Sequence, residues 1–370
     1  MAKRILLVSD SYLPTVSGVT TVVHEYVHSL KKAGYTVTVL APQIGTVSSE
    51  TCIGVPGPRN PFRTDTIVPI PFFGISHKVA AFSPEVIHIH SPGPLGIWAR
   101  WWAQKNNVPV VTTVHGTPDF SASYLPFPYL TKKIARTIGW AFWKWFLRSS
   151  QNIVAPSYFI VEALKKIGYS KNVVRIPFWI RSYNRKRTTS KKNTQKVQFL
   201  FFGRLDPDKN LPFLIESWAQ TTTSEKQLTI AGRSLEGQKE SLLELAKKHN
   251  CLHSITILGT VSEKQKEALF EKTDFFVMPS KVEVQSIVTL QAALSGTPVL
   301  AANASALPEI VLHSSCPELL FNPTNTQDLA AKIDYCVQHS SSIGPTYTLS
   351  KKFVQSFTEP YALKLLKSIY

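Results

Sequence analysis

Short apolar runs alternate along this chain with longer segments whose apolar positions recur at helical spacing. Arg4–Ser9 reads as a buried strand, and after the loop Asp10–Ser17 a helix is predicted over about Val19–Lys32. Gly34 ends that helix and Thr36–Ala41 is a second strand, which completes a β-α-β unit. Further strands are predicted at Val86–His90, Val110–Val114, Gln198–Gly203, Leu228–Ala231, Ile255–Gly259 and Val299–Ala302, and Phe275–Ser280 leads into the stretch Lys281–Val311. Helices are predicted at Leu95–Asn106, Tyr129–Arg148, Ser286–Leu294 and Glu359–Tyr370. Within Ser286–Leu294, Ile287, Leu290 and Leu294 fall at i, i+3 and i+7, and Ser295-Gly296-Thr297-Pro298 stops the helix. Cys52–Phe73, rich in Pro, Gly and Phe, reads as an extended loop. Strands alternating with helices at this spacing predict an α/β fold with parallel sheets.

At 370 residues the chain is long enough for two domains. The polar, basic stretch Lys186–Lys196 reads as the linker between them. The net charge of +17 is lopsided. Residues 1–185 carry 20 Lys+Arg against 7 Asp+Glu, whereas 186–370 carry 21 against 17. The first half is therefore expected to meet an anionic partner. Cys52, Cys251, Cys316 and Cys336 show no C-x-x-C spacing and read as reduced thiols of a cytosolic protein. No apolar run reaches 18 residues, so no membrane-spanning helix is predicted, and Ile5–Val8 is too short for a signal peptide.

Chemistry gathers in the loops that follow strands. The N-terminus of the Ser286 helix offers the backbone N–H groups of Ser286, Ile287 and Val288 and the positive end of its dipole, an anion site suited to a diphosphate. Glu283 stands just outside it. Arg204 and Lys209 share one loop after a strand, where forked and mobile positive charges would neutralise that diphosphate. Gly18, after the first strand, lets a ligand approach the backbone. His115 ends a strand, where α/β domains place ligands. His88 and His90 alternate onto one strand face. No third ligand accompanies them in sequence, so they read as hydrogen-bonded strand-end residues and not as a metal site.

These stretches resemble the retaining GT-B glycosyltransferases, in particular glycosyltransferase family 4. Glu283, Gly296-Thr297-Pro298-Val299 and Glu309-Ile310-Val311 match its signature. So do Gly203-Arg204-Leu205-Asp206-Pro207-Asp208-Lys209-Asn210, the Pro14–Val19 loop, and Leu228–Gly232. The family's second acidic position is Gln291 here, Ser17 stands where Gly is usual, and Arg233-Ser234 replaces a Gly-containing acidic loop. The resemblance implies two Rossmann-like domains facing a central cleft: residues 1–180, a linker at 181–196, residues 197–355, and a C-terminal helix at about 356–370 crossing back to the first domain. It implies a nucleotide-sugar substrate held by Gly18, Gly203, Gly232, Ser286, Ile287, Val288 and Gln291, with Glu283 on sugar hydroxyls and His115 beside the donor sugar. No Asp-x-Asp motif is present; neither a metal nor a cofactor is expected, and Arg204 and Lys209 would do a metal's work.

Tyr129–Arg148 has five basic residues and no acidic one. Projected at 100° per residue, Ile134, Ile138, Ala141, Phe142 and Trp145 share one face, expected to dock on the domain. The opposite face gathers Lys132, Lys133, Arg136, Trp140, Trp143, Lys144 and Leu147 and is expected to lie on an anionic membrane surface. No nucleic-acid-binding motif is present, and nucleic acid is not an expected partner. Tyr124, Pro126, Pro128, this helix and Ala155-Pro156-Ser157 resemble, in order, the bacterial members that glycosylate membrane lipids. The resemblance implies transfer of a hexose, with a UDP-glucose type of donor favoured, to a lipid such as diacylglycerol at the cytoplasmic face of the plasma membrane. A lipid mannosyltransferase using GDP-mannose with phosphatidylinositol, a sugar-nucleotide epimerase of the same architecture and a non-catalytic relative are the alternatives.

Overall fold

The computed structural model describes residues 2–15, 17–43, 52–60, 63–71, 74–118, 129–180, 196–234 and 237–370, with side chains at all but 60, 63–66, 129, 130 and 132. The chain forms two compact units. The first comprises residues 1–122, 127–179 and 359–370, and the second residues 123–126 and 180–358.

The elements of the first unit are β1 (Arg4–Val8), α1 (Gly18–Lys32), β2 (Thr36–Pro42), β3 (Cys52–Val55), β4 (Arg59–Asn60), β5 (Arg63–Ile67), α2 (Ile75–Phe82), β6 (Val86–Ile89), α3 (Pro94–Lys105), β7 (Val110–Thr113), α4 (Tyr129–Leu147), β8 (Asn152–Ala155), α5 (Tyr158–Lys166) and β9 (Val173–Arg175). The second unit continues with β10 (Val197–Phe202), α6 (Leu211–Ala219), β11 (Lys226–Ala231), α7 (Gln238–Lys248), β12 (Ile255–Gly259), α8 (Glu263–Lys272), β13 (Phe275–Met278) and α9 (Ile287–Leu294). It ends with β14 (Val299–Ala302), α10 (Leu307–Val311), β15 (Leu320–Phe321), α11 (Thr326–Gln338), α12 (Ser340–Thr346) and α13 (Lys351–Ser356), before α14 (Glu359–Ile369) returns to the first unit.

Each unit is built on a parallel sheet, ordered β3-β2-β1-β6-β7-β8-β9 in the first and β12-β11-β10-β13-β14-β15 in the second. The apolar runs predicted as strands are buried because helices cover both faces of such a sheet. In each sheet the winding reverses once, between β1 and β6 and between β10 and β13. Loops splay apart at such a reversal and leave a crevice beyond the strand ends. This is a doubly wound, Rossmann-like architecture: the alternation of strands and helices predicted the parallel α/β sheets, and the family resemblance implied the Rossmann-like form.

Cys52–Phe73 departs from the predicted loop. β3 adds to the edge of the first sheet, and β4 and β5 form an antiparallel hairpin. Its Pro and Gly content hid short strands whose pairing is set by partners far along the chain. Ser17, the departure in the first loop, is the N-cap of α1. Its Oγ accepts from the Thr20 N–H at 3.1 Å. The four cysteines are free thiols. Most of the linker 181–196 lies outside the described residues.

Candidate functional site

In the second unit the reversal at β10/β13 brings together two loops about 74 residues apart. The loop after β10 carries Arg204 and Lys209, and the loop after β13 carries Glu283. Lys209 Nζ donates to Glu283 Oε1 at 2.7 Å and lies 3.0 Å from Asp208 Oδ2. Arg204 pairs with Asp206 and stands 3.7 Å from Asp208. Burial by itself would lower the Lys209 pKa, but the Glu283 and Asp208 carboxylates outweigh it and hold it above the usual lysine value. Sequence spacing had suggested two cations awaiting a diphosphate. The structure shows them neutralised by three carboxylates, one of which, the Asp208 side chain, is fully buried. Asp208 is the residue that reasoning missed; its place between Arg204 and Lys209 was the available signal.

Backbone bonds fix the geometry of these loops. Ser280 Oγ donates to the carbonyls of Asp208 and Val282, at 3.1 and 3.2 Å. The Ala306 N–H donates to the Glu283 carbonyl at 3.2 Å. α9 begins at Ile287, one residue later than predicted. Ser286 is its N-cap residue in the left-handed region (φ 55°), with its Oγ on Thr289 Oγ1 at 2.7 Å and not on the backbone. Intrahelical bonding starts with Leu290 donating to the Ser286 carbonyl at 3.0 Å. The N–H groups of Ser286, Ile287, Val288 and Thr289 are therefore the four outside the ladder, and the predicted Ser286–Val288 set is among them. A left-handed non-glycine residue at such a position is the kind of local strain that clusters at ligand sites. Gln291 lies on α9, partly exposed.

The glycines divide by role. Gly232 has φ +135°, and a Cβ there would stand 1.8 Å from the Gly203 carbonyl oxygen, so β10 and β11 demand it for their own packing. At Gly203 a Cβ would meet nothing nearer than the Phe201 ring at 3.4 Å, and at Gly18 nothing within 4 Å. Gly18 leaves open space over the backbone, which a ligand can use, whereas a Cβ at Gly203 would make an ordinary contact with the Phe201 ring.

In the first unit, His88, His90 and His115 converge. His90 Nδ1 is 2.9 Å from His115 Nε2, and the His88 and His90 rings stack at 4.3 Å. His88 is held by Thr113 Oγ1 at 2.7 Å and by the hydroxyl of Tyr370, beyond α14, at 2.6 Å. Burial depresses all three pKa values. It takes His115 to about 3, and it takes His88, aided by the nearby His115, to about 3. His90 falls well below its ordinary value through burial and its two imidazole neighbours. The three rings are neutral at pH 7. At the β1/β6 reversal, Asp10 accepts from Ser91 Oγ at 2.6 Å and from the Leu95 N–H at 2.9 Å, and so caps α3.

The basic helix α4 sits the other way round from its predicted orientation. Trp143 (7% exposed) and Leu147 (0%) are buried with Phe146, which neither predicted face had included. Ile138 (64%), Ile134 (51%) and Trp145 (40%) face outward. The projection failed because both faces carry apolar residues, and tertiary contacts broke the tie. At Gly139 a Cβ would stand 2.6 Å from the Pro118 Cβ, so this face lies against the loop after β7. Tyr169 Oη donates to the Lys144 carbonyl at 2.7 Å. The outward ridge keeps its basic flank: Lys133, Arg136 and Lys144 are exposed, and Trp140 is intermediate. α3 adds exposed Ile97 and Trp101, and its Arg100 guanidinium lies 4.2 Å from the Trp145 ring centre. The Lys132 side chain, and Tyr124, Pro126 and Pro128, lie outside the described residues. No helix among the described residues is long and apolar enough to cross a membrane.

Two doubly wound parallel-sheet units, with ion-paired loops and a helix N-terminus at one sheet reversal, define the GT-B class of α/β protein. Sucrose-phosphate synthase from Thermosynechococcus elongatus shares the fold at a TM-score of 0.78, with 19% identity over 99% of this chain and 98% of that one. Anabaena HepE, solved in complex with UDP-glucose, does so at 0.71, with 16% identity over 99% of each chain. The Glycosyltransferase Family 4 model matches residues 16–180, and the Glycosyl transferases group 1 model matches residues 182–343. The chain belongs to glycosyltransferase family 4. Among its relatives, an alpha-monoglucosyldiacylglycerol synthase of Streptococcus pneumoniae is 22% identical over 98% of this chain and 84% of its own. A GDP-mannose-dependent alpha-mannosyltransferase of Mycobacterium tuberculosis is 24% identical over 83% of this chain and 81% of its own.

Proposed function

We propose that this glycosyltransferase moves a hexose from a nucleotide-sugar of the UDP-glucose type to a membrane lipid such as diacylglycerol, with retention and without a metal. The observation that carries the donor half is the convergence of Lys209, Glu283 and the open N-terminus of α9. On binding, the diphosphate takes Lys209 and the N–H groups of Ile287 and Val288, and Glu283 turns to sugar hydroxyls. The bond from the anomeric carbon to the diphosphate breaks as the acceptor oxygen bonds on the same face. The acceptor's proton passes to the leaving phosphate. Stabilising that leaving charge is then the main catalytic task, and Arg204 and Lys209 are suited to it. His115, neutral, serves the sugar as a hydrogen-bonding group. Gln291 keeps an acceptor oxygen for the ribose but lacks charge, which costs roughly tenfold in donor affinity.

The lipid half of the reading draws on the exposed ridge of α3 and α4. Apolar side chains flanked by Lys and Arg suit an anionic bilayer surface, here the inner face of the plasma membrane. The diacylglycerol-directed name of a relative that matches nearly the whole chain points the same way.

The test offers radiolabelled UDP-glucose, UDP-galactose and GDP-mannose with vesicles containing diacylglycerol or phosphatidylinositol, followed by lipid extraction. Label from UDP-glucose in the diacylglycerol extract is expected. Label from GDP-mannose in phosphatidylinositol would replace donor and acceptor alike. Epimerised sugar in the aqueous phase, or no turnover with no nucleotide binding by calorimetry, would overturn the reading.

A further inference from the structure

The histidine cluster of the first unit carries a more specific assignment, which rests on the reading of His115 as a sugar-facing group. His90 is 1% exposed, and its Nε2 is buried with no hydrogen-bond partner. A neutral imidazole holds one proton. On Nε2 that proton would be an orphaned buried N–H, a rare defect in folded proteins; an unmatched lone pair is the more tolerated one. The proton therefore sits on Nδ1 of His90 and is donated across the 2.9 Å contact to Nε2 of His115. His115 must then carry its own proton on Nδ1, and that N–H has no partner among the described residues.

We infer that His90 is a positioning residue: it locks His115 in the Nδ1–H tautomer and so decides which nitrogen is left to donate to the substrate. The surroundings hold this arrangement still. Phe178 stacks on the His115 ring at 4.8 Å and 13°. Tyr26 of α1 meets His90 edge-on at 5.1 Å and itself stacks on Trp179 at 4.8 Å. Among the described residues, the titratable groups facing His90 are Tyr26 from α1, His88 from β6 and His115 after β7. None is a carboxylate, so none steadies an imidazolium, and the cluster orients by hydrogen bonds between neutral rings. The H-x-H pattern at the end of β6 thus has a division of labour, with His88 anchored to Thr113 and Tyr370 and His90 turned to His115.

The test combines nitrogen NMR of 15N-histidine-labelled full-length protein with kinetics of the His90 and His115 variants. In the wild type, His115 should show a protonated Nδ1 and a lone-pair Nε2. The His90→Ala variant should shift His115 toward the Nε2–H form preferred by free imidazole. It should also lower kcat by about ten- to a hundredfold, the scale of losing an outer partner that orients a histidine, with a smaller change in donor KM. The His90→Asn variant, whose amide falls near the lost Nδ1, should recover much of that loss, whereas His90→Gln, whose amide reaches toward Nε2, should not. An Nε2–H tautomer in the wild type, or Asn and Gln variants that behave alike, would overturn the inference; the second comparison stands even if His90→Ala does not fold. A His115→Ala variant with undiminished transfer would instead remove the role given to His115 above and leave the tautomer measurement to judge the His90 contact alone.

Discussion

Lys209 donates to Glu283 at 2.7 Å across 74 residues of chain, while the buried Asp208 holds the same ammonium from below at 3.0 Å. Each cation of this site is thus already satisfied by a carboxylate, and a donor must exchange partners with them. Removal of any member should therefore affect both chemistry and folding, in different proportions. Glu283→Ala, Arg204→Ala and Lys209→Ala should each lower transfer about 100-fold or more, the scale of a lost oxyanion-type donor at about 2.7–4 kcal/mol. Lys209→Ala should in addition destabilise the second unit by about 3–5 kcal/mol, because it strands a buried carboxylate. Arg204, more exposed, should cost at most about 1 kcal/mol. Transfer rates and urea midpoints of the three variants separate the two effects, and an undiminished rate in all three would remove the site.

Gly232 and Gly203 touch through backbone alone and should respond in opposite ways. Gly232→Ala combines a left-handed φ, worth about 1–3 kcal/mol of strain, with a Cβ 1.8 Å from the Gly203 carbonyl. Its melting temperature should fall sharply. Gly203→Ala meets only a ring at 3.4 Å, so it should fold normally and lose nucleotide affinity in a calorimetric titration. A weaker binder with an unchanged fold is the expected outcome at one position and an unfolding variant at the other.

The two faces of α4 make a sharper test of membrane binding than the charges do. Ile134→Ser, Ile138→Ser and Trp145→Ser together should weaken co-sedimentation with anionic vesicles even at high salt, because apolar insertion is not screened. Lys133, Arg136 and Lys144 to Glu should abolish binding chiefly at low salt, at about 1 kcal/mol per residue. Leu147→Ala and Trp143→Ala should leave the surface intact and cost about 2–5 kcal/mol of stability as core truncations. Vesicle binding indifferent to the outward triple change would reject this surface.

Acid should weaken the first unit through its buried imidazoles. Burial depresses His88 and His115 to about 3 and His90 well below its ordinary value. The unfolded chain therefore binds more protons once pH falls below about 6.5. The contribution of these neutral rings is complete above that pH and is lost progressively as pH drops toward 3. Each ring can contribute about 1.4 kcal/mol per pH unit in this window. Denaturant midpoints between pH 6.5 and 4.5 should fall, and His88→Gln should reduce the slope by about one proton. A slope unchanged by that variant would show that other groups carry it.

Much of this protein was legible in its sequence because the governing physics is local. Apolar runs of four to seven residues, Gly and Pro at the turns, and alternation with helical spacing determined an α/β fold with parallel sheets, and the resemblance of its motifs implied two Rossmann-like units. The loop Gly203–Asn210 and the residue Glu283 could be singled out as chemistry-bearing because charged residues beside strand ends and glycines are conspicuous in one dimension. What followed from pairing across long separations was not legible. The hairpin of β4 and β5 lay hidden in a Pro- and Gly-rich stretch because strand pairing is decided by the partner. The neutralisation of Lys209 by Glu283, the contact of His90 with His115 25 residues away, and the clash that makes Gly232 obligatory all depend on sheet order. α4 is the plainest case. Its sequence holds apolar side chains on both faces, so periodicity cannot choose between them. Only the docking of Gly139 on Pro118 and the burial of Trp143, Phe146 and Leu147 decided that the Ile134, Ile138 and Trp145 face points outward.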